Sequence, residues 1–390
     1  MASSSDAAVA RLMRLRNRVQ LALALLLLAG LCSPLLSHAP NRLLSGQGLR
    51  LPALTGALWM IVPALPMLLS PWLRPSRRLR GLLALCAALL ANGLLLQAGV
   101  EAARLSGDPD SLARTAFGAG FWLLQLAACL QLAESLRGLA LAPPIRALIV
   151  CAACLPALAL LAAGRLDALA LLREYHNDPD VFRQALLRHL QLVGLSVLPA
   201  ALLGAALGLA AFRRPRVEAW LFPILNTLQT IPSLALFALL IAPLAWLGRL
   251  WPQSGIAGVG LAPAVTALTL YSLLPMTHGT LAALRQVPAA ARDSARGIGM
   301  SPWQIFHRVE LPLALPVFIA GLRVTTVQAV GLAAVAALIG AGGFGAILFQ
   351  GLSASAPDQV LLGVLPIVLL TLCCDAVFKL LASRLEPVRR

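Results

Sequence analysis

Apolar residues in this chain come in long, nearly unbroken runs, and polar residues collect in the short gaps between them. A helix needs about 20 apolar residues to cross the hydrocarbon core of a bilayer. Ten stretches qualify: 19–37, 54–73, 80–100, 116–137, 146–165, 189–212, 219–243, 259–284, 313–340 and 359–382. The pattern predicts an all-α polytopic membrane protein with about ten transmembrane helices. Eight or nine is the alternative, because Pro63 and Pro66 weaken the second stretch. The opening segment is basic and then apolar, the order of a signal peptide. Its apolar run from Val19 to Leu36 is long for that role, so a retained first helix is expected.

Charge in the gaps sets an expected orientation. Arg11, Arg14, Arg16 and Arg18, then Arg74, Arg77, Arg78 and Arg80, then Arg137 and Arg146, then Arg213, Arg214 and Arg216 fall on one side of a ten-span layout. Arg285, Arg292, Arg296 and Arg308, and finally Lys379, Arg384, Arg389 and Arg390, fall on that same side. The opposite side carries the acidic segments EAARLSGDPD and REYHNDPD. Basic loops stay in the cytoplasm, so both termini are expected there.

Composition agrees. Hydrophobic residues make up 59% of the 390 and charged residues only 12%, against about 25% in soluble domains; the mean hydropathy is +0.85. The net charge of +16 raises nucleic acid as a partner, but the arginines sit at span ends without interleaved aromatics, so the expected surroundings are membrane lipids and no nucleic acid. Seven cysteines lie in apolar runs and read as small buried hydrophobes; Cys151 and Cys154 have CxxC spacing with no second pair or nearby histidine to complete a metal site. No metal site is expected.

A polar seam at 166–188 divides the chain. The expected organisation is an N-terminal membrane extension of about five helices over 1–165, an extracytoplasmic connector over 166–188, and a membrane core over 189–390. The second half carries more polar residues, Gly and Pro within its spans, and polar groups at membrane depth need a reason.

The polar stretch RDSARGIGMSPWQIFHRVELPLALP, residues 292–316, interrupts that half. Pro288 can open a helix, and Gly297 and Gly299 loosen or end it. Ser301 can cap a second helix, with Pro302 at the first position and Gln304 completing a capping box. Leu311-Pro312 closes the unit and returns the chain to the membrane. The prediction is a helix–bend–helix over 286–312, either lying on the headgroups with Trp303 as anchor or serving as a docking element.

Its spacing resembles a known one. The cytoplasmic "EAA" loop of permease subunits in binding-protein-dependent ABC importers runs Glu-Ala-Ala, three residues, Gly, nine residues, an aliphatic residue, any residue, Leu-Pro. Here Asp293-Ser294-Ala295 is followed by Arg296-Gly297-Ile298, Gly299, nine residues, and Val309-Glu310-Leu311-Pro312. Asp replaces Glu and Ser replaces the first Ala; the Gly and Leu-Pro are in register. NTLQTIPSLALFALLI (226–241) and IGAGGFGAILFQGL (339–352) are similar to the osmoprotectant branch of this family, which handles glycine betaine and choline, and the five extra N-terminal spans fit its longer YehY-like variant.

The resemblance implies a type I (MetI-like) permease core in the C-terminal five helices and a bacterial cytoplasmic (inner) membrane location. It implies ABC ATPase subunits, a second permease (identical or paralogous) and an extracytoplasmic substrate-binding protein as partners. Asp293, Ser294, Ala295, Arg296, Gly299, Ser301, Trp303, Glu310 and Pro312 would form the ATPase-coupling loop. The chain itself would not be an enzyme and would need no cofactor: G-x-x-x-x-G-K-[ST] is missing, the one lysine being Lys379 between Phe378 and Leu380, so ATP and Mg would bind the partner ATPase.

Asn226, Gln229, Thr230 and Pro232 either line a translocation path or bond to a neighbouring helix, and Gly340, Gly342 and Gly343 form a bend or close-packed gate. Asp375, four residues before Lys379, reads as a structural ion pair; an ion-coupled secondary transporter using Asp375 and Glu134 is the rival class, and a permease for another small solute such as an amino acid is the rival within the family. Aromatics make up only 5% of the chain, too few for an obvious aromatic cage around a quaternary ammonium, so selectivity is assigned to the binding protein.

Overall fold

The computed structural model describes residues 17–41, 44, 46–107 and 112–385. Arg11, Arg14, Arg16, Arg389, Arg390 and the end of EAARLSGDPD lie outside them. Two compact units meet in sequence between Asn177 and Asp178.

The first unit contains α1 (Arg18–Cys32), β1 (Leu36–Ala39), β2 (Gln47–Leu49), α2 (Ile61–Leu69), α3 (Arg77–Ser106), β3 (Arg114–Phe117), α4 (Ala119–Gly138), α5 (Pro143–Ala162) and α6 (Ala170–Asn177). Its core centres on Leu27, Leu90, Leu94 and Leu124, all inaccessible or nearly so. The three short strands pair antiparallel in the order β2-β1-β3, with Leu36 opposite both Leu49 and Phe117. This sheet was not expected in an all-helical chain; its strands are three or four residues long, too short to leave an alternation pattern in a sequence. Glu101 also departs from expectation. It is no loop acid but a fully buried member of α3, accepting from the Thr55 amide at 2.5 Å and from Arg104 at 2.8 Å.

The second unit contains α7 (Pro179–Arg213), α8 (Pro215–Thr230), α9 (Ser233–Leu250), α10 (Leu261–Arg285), α11 (Ala289–Gly297), α12 (Pro302–Ile305), α13 (Leu311–Val335), α14 (Phe344–Ser353) and α15 (Pro357–Leu385). α10 is its centre, packed along α7 and α13. Small residues let these backbones approach: a Cβ on Gly208 would lie 2.6 Å from Thr280 Cβ, and one on Gly279 2.8 Å from Gly321 Cα.

Seven helices among the described residues are long and apolar enough to cross a membrane, and three apolar helices are shorter: Arg18–Cys32, Ala57–Leu69 and Phe344–Ser353. α10 is absent from both groups despite its 25 residues. Its threonines, serine, tyrosine and histidine lower its hydropathy, and burial inside the bundle removes the need for a fully apolar surface.

Three expected spans change shape. The stretch 219–243 is two helices separated by extended backbone at Ile231 and Pro232; proline disfavours helical geometry in the residue before it. The connector 166–188 is largely helical, because Asp178 caps α7 by accepting from the Val181 amide at 3.1 Å, so α7 starts ten residues before its expected span. Leu311-Pro312 does not end the polar unit: a π turn at Phe306–Glu310 joins α12 to α13. Pro312 lacks an N–H and its ring crowds the carbonyl four residues back, and the wider turn, with the Leu311 amide bonded to the Phe306 carbonyl, accommodates both. The cysteines are a correction too: Cys86 is buried, whereas Cys32, Cys129, Cys151, Cys154 and Cys373 face outward from apolar helices.

Candidate functional site

The helix–bend–helix between α10 and α13 forms as two short helices around one glycine. Gly299 has φ +82° with open space where a Cβ would go, so the glycine is required by backbone conformation and not by crowding. Ser301 caps α12: its hydroxyl accepts from the Gln304 amide at 3.4 Å while its own amide donates to Gln304 Oε1 at 2.8 Å. Ala295 and Ile305 are buried on the inner side. Phe306 packs against the buried cluster of Ala283, Leu284, Val287 and Ala314, and the Arg213 guanidinium lies 5.5 Å from its ring centre. Phe306 thus holds the unit under the spans, while Trp303 is 67% exposed and Ile298 is 74% exposed.

Charged residues brace the unit. Arg292 donates to the Val287 carbonyl at 2.7 Å, stands 3.9 Å from Glu310 and lies over the Phe212 ring. Asp293 and Arg296 pair at 3.2 Å on the exposed face; Ser294 joins Ala295 within α11, and Pro312 lies in the first turn of α13. A cavity of about 720 Å³ opens beside Arg213, Arg296, Met300, Trp303 and Glu310. Such a surface, rigid below and apolar at its exposed tip, can transmit displacement from a docked partner to α10 and α13.

The other candidates occupy two places. Gln229 Nε2 donates to the Tyr271 carbonyl at 2.7 Å, and the Tyr271 hydroxyl donates to the Ile231 carbonyl. Tyr271 therefore clasps the break at Ile231-Pro232 against α10. Thr230 bonds back to the Thr227 carbonyl at 2.7 Å, and Asn226 is exposed. Gly340, Gly342 and Gly343 form the turn before α14, all with φ near +80°. Arg188 Nε donates to the Ala341 carbonyl at 2.8 Å, and a Cβ on Gly343 would meet His189 Nδ1 at 3.2 Å. Gly342 and Gly343 line a groove of about 630 Å³ with Gln184, Arg188 and Gln350. The turn bonds to Gly260 through the Ile339 carbonyl, roughly 16 Å along α10 from Tyr271, so the two sets do not form one cluster. Tyr271, Arg188, His189 and Arg323 were not singled out from the sequence; an isolated polar residue in a span was the available signal, without its partner.

Removing the Tyr271 hydroxyl tests the clasp. Tyr271→Phe strips the Ile231 carbonyl of its donor, a loss of about 1 kcal/mol, and the thermal unfolding midpoint of the purified protein should fall by a few degrees.

Asp375 receives Lys379 at 2.6 Å and also Arg323, from α13, at 3.6 Å. One carboxylate between two cations is a structural tie; its side chain is about a third exposed, so solvent screening limits its contribution. Asp375→Asn should lower stability by about 1 kcal/mol or less, read as a small fall in the thermal unfolding midpoint of the purified protein.

Residues 198–387 match the family described as the binding-protein-dependent transport system inner membrane component, and residues 15–172 match the N-terminal domain of the ABC transporter permease YehY. The osmoprotectant import permease protein OsmW of Salmonella typhimurium is 40% identical over 200 residues, 51% of this chain and 89% of OsmW. The glycine betaine/carnitine/choline transport system permease protein OpuCD of Bacillus subtilis is 34% identical over 217 residues, 55% of this chain and 89% of OpuCD. The ergothioneine transport permease/ergothioneine binding protein EgtU of Helicobacter pylori is 40% identical over 172 residues, 44% of this chain and 29% of EgtU. Among solved structures, an inward-facing MetNI methionine ABC transporter chain aligns at TM-score 0.46 and 22% identity, over 53% of this chain and 97% of the other.

Proposed function

We propose that this chain, which belongs to the family of inner-membrane permease components of binding-protein-dependent ABC importers, passes glycine betaine or a related quaternary-ammonium osmoprotectant into the cell. The substrate class is supported by the names of OsmW and OpuCD. The energy comes from ATP and Mg bound by a separate ATPase; this chain carries no cofactor. A second permease, identical or paralogous, completes the membrane unit, and an extracytoplasmic binding protein delivers the solute.

The observation that carries the coupling role is the capped bend at Gly299–Ser301, with Trp303 and Ile298 exposed at its tip and Ala295, Ile305 and Phe306 anchored beneath. The unit faces the cytoplasm, as do both termini, and a groove on the ATPase receives Trp303 and Ile298. When two ATPases close, paired loops draw together, and α10 and α13 carry the displacement into the membrane. The broken helix α8–α9 and the glycine turn at 340–343 belong to the path. EgtU favours a second reading, a permease for another small solute.

Uptake of labelled glycine betaine decides between them. Cells lacking other betaine carriers would express this chain with its ATPase and binding protein. ATP-dependent uptake competed by choline and carnitine is the expected result. No betaine uptake while the ATPase still co-purifies would leave the importer class and overturn the substrate.

A further inference from the structure

We infer that Phe222, His278 and Asn226 form a contact site for a zwitterionic quaternary-ammonium solute inside the membrane portion of this permease. The inference rests on the substrate class proposed above and adds the residues that touch the solute.

Helices α8 and α10 run antiparallel, and their contacts keep one register. Glu218 meets Arg285 at 2.5 Å, the Phe222 and His278 rings lie 4.2 Å apart at 34°, and Gln229 bonds to Tyr271. Between the ring pair and the Gln229 bond lies Asn226, one turn beyond Phe222 on the same helical face. It is exposed and its carboxamide has no hydrogen-bond partner among the described residues, and His278 is exposed as well. Both stand in helices that also carry Thr227, Gln229, Thr277 and Thr280 within one turn of them. Polar side chains at membrane depth turn towards a bundle interior or a water-filled cavity, and the helix that carries Asn226 breaks just beyond it, at Ile231 and Pro232.

The chemistry fits a betaine at both ends. A methylated ammonium is attracted to aromatic faces, which the ring pair offers. An amide N–H donates to a carboxylate, which Asn226 offers one helical turn away, about 6 Å along the axis. That spacing suits a zwitterion whose charges are separated by a single methylene. The low aromatic content of the chain is then no obstacle: one ring pair serves as a transient contact, and the binding protein keeps the tight site.

The test is uptake of labelled glycine betaine by vesicles holding the complete transporter, with Phe222 replaced by leucine, by tyrosine, and by phenylalanines of increasing fluorination. Fluorine empties the ring face of negative potential with little change in shape, so a merely structural ring would not respond to it. Phe222→Tyr should retain uptake, Phe222→Leu should lose on the order of 5- to 10-fold, and the fluorinated series should fall in steps. Asn226→Leu should lose betaine uptake more than choline uptake, because choline has no carboxylate. A flat fluorine series with wild-type betaine uptake intact would overturn this inference alone. A wild-type transporter that moves neither betaine nor choline would overturn the substrate class and this site with it. If the leucine variant fails to assemble with the ATPase, the nearly isosteric fluorinated series decides.

Discussion

Replacing Gly299 by valine is expected to cut uptake roughly tenfold or more while the permease still reaches the membrane at normal levels. Gly299 holds φ +82°, where a β-branched residue is an outlier and a left-handed conformation costs about 1–2 kcal/mol. That energy corresponds to about one order of magnitude in an equilibrium. The space around the missing Cβ is open, so a larger side chain creates no clash that would unfold the spans. The strain is released by shifting α11 against α12. Those helices are anchored below by Ala295 and Ile305 and present Ile298 and Trp303 above, so the presented surface moves. Co-purification of the ATPase should fall with uptake; Gly299→Ala, without β-branching, should give the milder defect. Uptake at wild-type rate in the valine variant would remove the bend from the coupling mechanism.

Gly279→Leu should have the larger structural effect and prevent the protein from accumulating. A Cβ at Gly279 would stand 2.8 Å from the Cα of Gly321, and one at Gly321 2.9 Å from the Cα of Gly279. Both neighbours are backbone, which cannot rotate away, so α10 and α13 must separate. Overpacking a close contact typically costs about 1–3 kcal/mol, and a forced separation along the central helix should exceed the upper end. Gly194→Leu is the matched control: Gly194 is exposed and has nothing near its Cβ direction, so that variant should accumulate normally. Membrane abundance and thermal unfolding of the two variants measure the difference.

Much of the helix–bend–helix unit was legible from local chemistry. The cap at Ser301 needs only Ser, Pro and Gln at fixed offsets, and those bonds form within one helical turn. Gly299 was legible as the end of a helix, and its positive φ follows from that position. The division of labour between Trp303 and Phe306 was not legible. Both are aromatic and three residues apart; only the buried cluster of Ala283, Leu284, Val287 and Ala314 against Phe306 separates an anchor from an exposed tip. Asp375 was legible as half of an i,i+4 pair with Lys379, yet Arg323 came from another helix. Glu101 looked like a loop acid because the turn at its end follows closely, and burial reversed that reading.

The sequence by itself determined that the chain crosses a membrane several times, roughly where most of its apolar helices lie, and where its polar interruption is capped and bent. These depend on composition over one helix length or on bonds within one turn, so no knowledge of neighbours is needed. The tertiary structure alone decided that α8–α9 is broken and clasped by Tyr271, that α12 continues through a π turn into α13, and that the Phe222 and His278 rings meet at a tilt. Each of those joins residues whose partners are chosen by helix packing: Gly279 facing Gly321, and α10 held between α7 and α13, bring them within reach. In an apolar chain rich in leucine and alanine, many helix faces look alike, and only the assembled bundle selects which ones meet.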